Sequence, residues 1–173
     1  MSRVVDTNVL LICRNPEDWP AELRDACDEL IEAVLEKRLE IVVDDGGEIL
    51  EEYMHQLSLS GQPSLGDEFL KYVHDYQYSW HLKYRPNIRP NSSESNSYGV
   101  LGGDDAEIDP SDRKFIAAAK VAKTPIFQAS DTKWLNWQGV LSRHGVEVRF
   151  VHEDSIRRAY AKKFKMEAPI WTS

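Results

Sequence analysis

Apolar residues follow two rhythms along this chain. Arg3-Val4-Val5, Ile41-Val42-Val43, Pro125-Ile126-Phe127-Gln128 and Val146-Glu147-Val148-Arg149-Phe150-Val151 are short runs bounded by polar residues, as expected of buried strands. Between them the spacing changes to threes and fours. Leu23, Ala26, Cys27, Leu30, Ile31, Val34 and Leu35 predict a helix within Pro20 to Arg38, and Ile49, Leu50, Tyr53, Met54 and Leu57 predict another after the turn Asp44-Asp45-Gly46-Gly47. Leu65, Phe69, Tyr72, Val73, Tyr76 and Trp80 share one helical face, so core packing is expected for these aromatics. Tyr78, His81 and Tyr84 are the better candidates for exposure. Asp109 is expected to cap a helix with Pro110 at its first position, carrying Phe115, Ile116, Ala119 and Ala122. A helix with Trp134 and Leu135 and a basic one over Asp154 to Phe164 complete the pattern.

Short strands alternating with helices predict an α/β fold with a mostly parallel sheet covered on both faces. With 173 residues, a single domain over 1–173 is expected. Residues 61–108 read as an insertion, serving as lid, dimer contact or substrate platform. Its tail, Asn91-Ser92-Ser93-Glu94-Ser95-Asn96-Ser97 with Gly102-Gly103-Asp104-Asp105, is rich in loop formers. No apolar run reaches the length of a membrane span and no export signal opens the chain, so the expected location is cytoplasmic, without membrane partners. Cys13 and Cys27 lack metal-ligand spacing and are expected to be buried thiols.

Charge adds a further clue. The net charge of −8 argues against simple adhesion to nucleic acid, yet residues 1–60 carry 15 acids against 5 Lys/Arg while residues 111–173 carry 6 against 12. Solvated helix faces explain such a split, and so does a carboxylate site folded against a cationic surface. Ligands of parallel sheets gather at the carboxyl ends of strands. Acids stand at three such ends: Asp6, then Asp44 and Asp45 with Glu48, Glu51 and Glu52, then Asp131; Asp112 heads a helix whose preceding segment reaches the same edge. Carboxylates crowded together repel unless a cation balances them, and oxygen-only ligands favour Mg²⁺ or Mn²⁺.

The segment Val4-Val5-Asp6-Thr7-Asn8-Val9-Leu10-Leu11 resembles the opening motif of PIN domains, metal-dependent ribonucleases built as a three-layer α/β/α sandwich. Val43-Asp44 through Ile49-Leu50-Glu51-Glu52-Tyr53 is similar to the second motif of that family, Asp109-Pro110-Ser111-Asp112-Arg113-Lys114-Phe115-Ile116-Ala117-Ala118-Ala119 to the third, and Gln128-Ala129-Ser130-Asp131 to the fourth. The match covers roughly residues 3–59 and 108–151. The resemblance implies that Asp6, Glu52, Asp112 and Asp131 are both the metal ligands and the catalytic carboxylates, with Asn8 supporting them. Glu48, Ser130 and Asp109 are supporting groups or additional ligands. The family's hydroxyl two residues before the fourth acid is here Ala129, with Ser130 next to it. Implied too are hydrolysis of RNA to 5′-phosphate and 3′-hydroxyl ends, a role as toxin or as stress or defence nuclease, and an inhibitory protein partner; a homodimer is a separate candidate assembly that the sequence leaves open.

Plainer roles exist for each acid: Asp6, Asp109, Asp112 and Asp131 all stand where helix caps or helix-start acids stand. Arg113, Lys114 and Lys133 lie near the acids and are candidates for RNA phosphate contact, as is the Arg157 to Lys165 cluster. The aromatic and cationic stretch Lys71 to Arg85 suits stacking of unpaired bases. Two rivals to the nuclease reading remain at this stage. An aspartyl phosphatase would need a second Asp where Asn8 stands. A non-catalytic RNA- or protein-binding module would keep the scaffold without the cleavage.

Overall fold

Val4 and Val5 are both fully buried although successive strand residues point to opposite faces, so the strand they form has helices on either side. This strand, β1 (Ser2–Val5), is central in a parallel sheet with β2 (Glu40–Ile41), β3 (Ile126–Gln128) and β4 (Val148–Phe150), in the order β2-β1-β3-β4. Registers are Arg3 opposite Ile41, Val4 opposite Ile126, and Ile126 opposite Val148. The computed structural model describes residues 2–91 and 96–171, with only the backbone at 103–105. Ser92 to Ser95, the middle of the expected loop, lie outside the described residues.

Among the described residues seven α-helices surround this sheet in an α/β/α sandwich: α1 (Thr7–Arg14), α2 (Ala21–Leu35), α3 (Glu48–Gln56), α4 (Leu65–Tyr76), α5 (Arg113–Ala122), α6 (Gln138–His144) and α7 (Glu153–Phe164). Helices α1, α2 and α4 pack on one another, while α5 packs against β1 and β3. Tyr53, Phe69, Tyr98, Phe115 and Trp134 are fully buried. Cys13 and Cys27 are free, buried thiols. Among the described residues no helix is long and apolar enough to cross a membrane.

Three local expectations are corrected. The second strand pairs as a ladder only to Ile41 and leaves β1 after Val42 N donates to Arg3 O (2.8 Å), because the backbone beyond it is taken by the later segment: Val43 N donates to Tyr84 O (3.1 Å) and Asp45 N to Pro86 O (3.0 Å). Asp109 does not cap the next helix. Its Oδ1 closes a turn on Ser111, accepting from Ser111 N (3.1 Å) and Oγ (2.8 Å), and α5 starts one turn later at Arg113 with Asp112 at the cap position. Tyr76 is 55% exposed despite sharing the face of Phe69, because the helix ends there and the core ends with it.

The first part of the 61–108 stretch is core rather than lid. Phe69, Leu70 and Val73 of α4 are completely buried. Ser64 and Asp67 form a reciprocal capping box at its start, each side chain accepting from the other's backbone N–H at 3.2 Å. Gly66 lets α4 lie directly on α1: a Cβ there would come 2.4 Å from Leu10 O. The irregular part begins at Gln77, and it too is anchored, with Ile88, Tyr98, Leu101 and Ile108 buried. From α5, Lys120 Nζ donates to Val100 O (2.7 Å) and Arg113 to Ile108 O (3.1 Å) and Asn96 O (3.3 Å).

Candidate functional site: a buried carboxylate cluster

Asp6 is the first residue beyond β1, and its backbone N–H still donates to Phe127 O of β3 (2.9 Å), which fixes it at the sheet's carboxyl end. Its Oδ1 accepts from Asn8 N (2.9 Å) and Asn8 Nδ2 (2.8 Å). Asp6 therefore caps α1, as the plainer reading of the sequence has it, while being 1% exposed. Burial, followed by the nearby Asp112 carboxylate, pushes its pKa up from 3.8 to about 8, against the opposing pull of the Asn8 hydrogen bonds; Glu52 adds to the rise.

Glu52 is carried by α3, and that helix is placed by two buried contacts. Tyr53 Oη donates to Val5 O (2.5 Å), pinning the helix to the end of β1. Asp44 accepts from Ile49 N (2.8 Å) and Glu48 N (3.0 Å), capping the free amides of α3 from four and five residues upstream because Gly47, at φ +88, turns the chain between them. Glu52 is half-buried, with Oε1 receiving Thr7 Oγ1 (2.5 Å) and Oε2 receiving Lys114 Nζ (2.5 Å). Glu48, one turn earlier, takes the Tyr98 hydroxyl on its Oε2 at 3.3 Å. The two glutamates thus have different partners, and Glu52 is the one tied to the strand end.

Asp112 and Asp131 complete the group. Asp112 is 6% exposed, and burial first, then Asp131 and Asp109, raise its pKa to about 6 even though Lys133 lowers it. Asp131 follows β3; its N–H donates to Gln128 Oε1 (3.1 Å), and its Oδ1 caps the short 3₁₀ turn Thr132–Trp137 through Lys133 N (3.1 Å). Ser130 is half-buried with no side-chain hydrogen bond among the described residues, and Ala129 is fully buried. Asp109 has its pKa held down to about 2 by hydrogen bonds from Lys133 and Ser111.

The three cations assigned to RNA phosphates are engaged inside the chain. Arg113 holds the loop carbonyls described above. Lys114 is 7% exposed and donates to Ser111 O (2.7 Å) as well as to Glu52. Lys133 Nζ lies 2.8 Å from Asp109 Oδ2, 3.0 Å from Asp112 Oδ2 and 3.2 Å from Asp131 Oδ2, and these carboxylates raise its pKa in spite of partial burial. Sequence reasoning missed this use of the lysines, and it missed Thr7 as the group orienting Glu52. The only available signal was proximity: Lys114 is two residues from Asp112, and Lys133 two from Asp131.

The donor set suits a hard divalent cation in its chemistry: carboxylate oxygens from separate chain segments, two of them attached to acids that resist ionisation. Asp112 Oδ2 is shielded from solvent and has no aligned hydrogen-bond donor; Lys133 reaches it only at ion-pair distance. Among the described residues no three His, Cys, Asp or Glu side chains stand together as a ready-made metal group. Two lysine amines lie among these acids instead, Lys114 on Glu52 and Lys133 on Asp109, Asp112 and Asp131. Two concavities, of about 870 and 580 Å³, lie elsewhere, along β4 beside Trp171 and between α2 and the β3–β4 face. No carboxylate of the cluster lines either one. Compared with protein-family models, with curated proteins and with solved structures, the chain matches none.

Proposed function

We propose that this chain is a PIN-type, Mg²⁺- or Mn²⁺-dependent phosphodiesterase that cleaves RNA internally. The observation that carries the reading is the electrostatic coupling of carboxylates beyond the strand ends, Asp6 with Asp112 and Glu52, and Asp112 with Asp131, where Asp6 and Asp112 are buried and bear pKa values of about 8 and about 6. Crowded carboxylates that strain against ionisation gain the most from a divalent cation. The four acids would hold the metal, which supplies positive charge for the phosphoryl oxygens and acidifies water at neutral pH. Asn8 keeps Asp6 in one orientation, Thr7 and Lys114 hold Glu52, and Gln128 fixes the backbone at Asp131. Tyr76 and Tyr78 are 55% and 72% exposed, with Arg85 over the Tyr78 ring at 4.6 Å, and such exposed rings beside a cation suit unpaired bases.

A second reading has a specific observation in its favour. Lys114 and Lys133 balance the acids internally, as they would in a non-catalytic RNA- or protein-binding module on the same scaffold. Labelled single-stranded RNA, duplex RNA and single-stranded DNA, incubated with Mn²⁺ or Mg²⁺, separate the two. Under the nuclease reading RNA is cleaved, and cleavage disappears with chelator and in folded Asp6→Asn and Asp112→Asn variants. RNA binding without cleavage of any substrate would support the binding module. Unchanged cleavage in both variants would refute the site.

A further inference from the structure

The Lys133 ammonium faces three carboxylates, donating a hydrogen bond to Asp109 and pairing as an ion with Asp112 and Asp131. Asp109 Oδ2, Asp112 Oδ2 and Asp131 Oδ2 lie 2.8, 3.0 and 3.2 Å from its Nζ. These acids come from two segments, the turn before α5 and the end of β3, so one amine joins both sides of the cluster. Two of them, Asp112 and Asp131, are ligands in the proposed metal site. A Mg²⁺ ion needs such oxygens at roughly 2.0–2.1 Å in near-octahedral geometry, and an ammonium against the same oxygens both repels it and withholds their lone pairs.

Lys114 and Lys133 differ in their freedom to leave. Lys114 is 7% exposed, and its second hydrogen bond is to Ser111 O, so it is fixed in place. The Lys133 side chain is 34% exposed. Its Nζ lies 5.7 Å from the centre of the Trp137 ring, a cation–π contact on which the amine can rest after giving up the carboxylates.

We propose that Lys133 is a resident competitor for the divalent cation: it balances Asp109, Asp112 and Asp131 in the metal-free protein and must be displaced for the metal to bind. This rests on the metal-dependent reading above. Lys133 thereby sets the metal affinity of the site and keeps the metal-free chain from carrying three unbalanced carboxylates.

The test is Mn²⁺ binding to the metal-free full chain, measured by calorimetry and by loss of the free-Mn²⁺ resonance signal, for wild type, Lys133→Met, Lys133→Gln, Lys133→Arg and Asp112→Asn. Circular dichroism establishes that each is folded, and Lys133→Gln, which keeps polar atoms near the acids, guards against failure of the Met variant. Lys133→Met and Lys133→Gln are expected to bind Mn²⁺ on the order of tenfold more tightly than wild type, within the usual span of coupling between two sites. Lys133→Arg binds no more tightly than wild type, and Asp112→Asn loses the site. The metal-free Met variant melts below wild type and recovers on adding Mn²⁺. Met and Gln variants that bind no more tightly than wild type, with Asp112→Asn still abolishing binding, would overturn the competition and leave the metal site standing. Equal uptake by wild type and Asp112→Asn, or no uptake by any variant, would overturn the metal reading and the competition with it.

Discussion

Asp6 makes the stability of the metal-free protein fall as pH rises, and Asp6→Asn should remove that fall. Its folded pKa is about 8 against an ordinary 3.8, so between roughly pH 4 and pH 8 the native state holds a proton that the unfolded state has released. The slope of unfolding free energy with pH has the sign of unfolded minus native bound protons, which is negative here. One proton corresponds to about 1.4 kcal/mol per pH unit, so Asp6 alone removes on the order of 3 kcal/mol between pH 5 and pH 7. Asp112, raised to about 6, acts in the same direction over the lower part of that interval. A loss of that size lowers the melting temperature of a chain this long by roughly 5–10 °C. The assay is urea unfolding in chelator at pH 5 and pH 7 for wild type and Asp6→Asn. Asparagine retains an oxygen for the Asn8 donors, so the difference between the two pH dependences isolates the carboxyl group. The variant should lose most of the slope, and saturating Mn²⁺ should flatten that of wild type. Equal slopes for the two proteins in chelator would refute the desolvated acid at the sheet end.

Further substitutions test the scaffold that places the acids. Gly66→Ala should cost about 1–3 kcal/mol in chemical unfolding, since the new methyl must push α4 off Leu10 O, 2.4 Å away. Tyr53→Phe leaves Val5 O without its buried donor and should cost about 1–2 kcal/mol while lowering cleavage, because Glu52 is the preceding residue on the helix this bond anchors. Asp44→Ala frees the Glu48 and Ile49 amides and should cost about 1–2 kcal/mol; exchange of those two amide hydrogens, followed by NMR, should quicken relative to the middle of α3.

Much of the scaffold was legible because period and burial are coupled locally. The three-and-four spacing from Leu23 to Leu35 can bury its apolar residues only as a helix, and the structure places α2 at Ala21–Leu35. Val4-Val5 ending at Asp6 reads as a strand for the same reason, although Thr7 and Asn8 open α1 and are not a turn, and parallel-sheet geometry then brings Asp6 and Asp131 to one edge. Tyr76 misled because periodicity marks a face of a helix and not how far along that face the core extends; the ring is 55% exposed. Asp109 misled because a carboxylate before Pro110 suits a turn as well as a cap, and only the backbone path decides between them.

The order of strands and helices and the chain positions of the four acids are properties of the linear sequence, because each depends on neighbours within a few residues. Where the charges find their partners is a property of the folded chain alone. Lys114 meets Glu52 across 62 positions and Lys133 meets Asp109 across 24, over distances of 2.5 and 2.8 Å that no local pattern encodes. Whether the 61–108 stretch begins as lid or core was settled likewise by one close approach, α4 on α1 at Gly66. Local pattern reflects which surface must be buried, and electrostatic pairing reflects which atoms then lie within about 3 Å of one another, so the acids were visible in the sequence and the cations that restrain them were not.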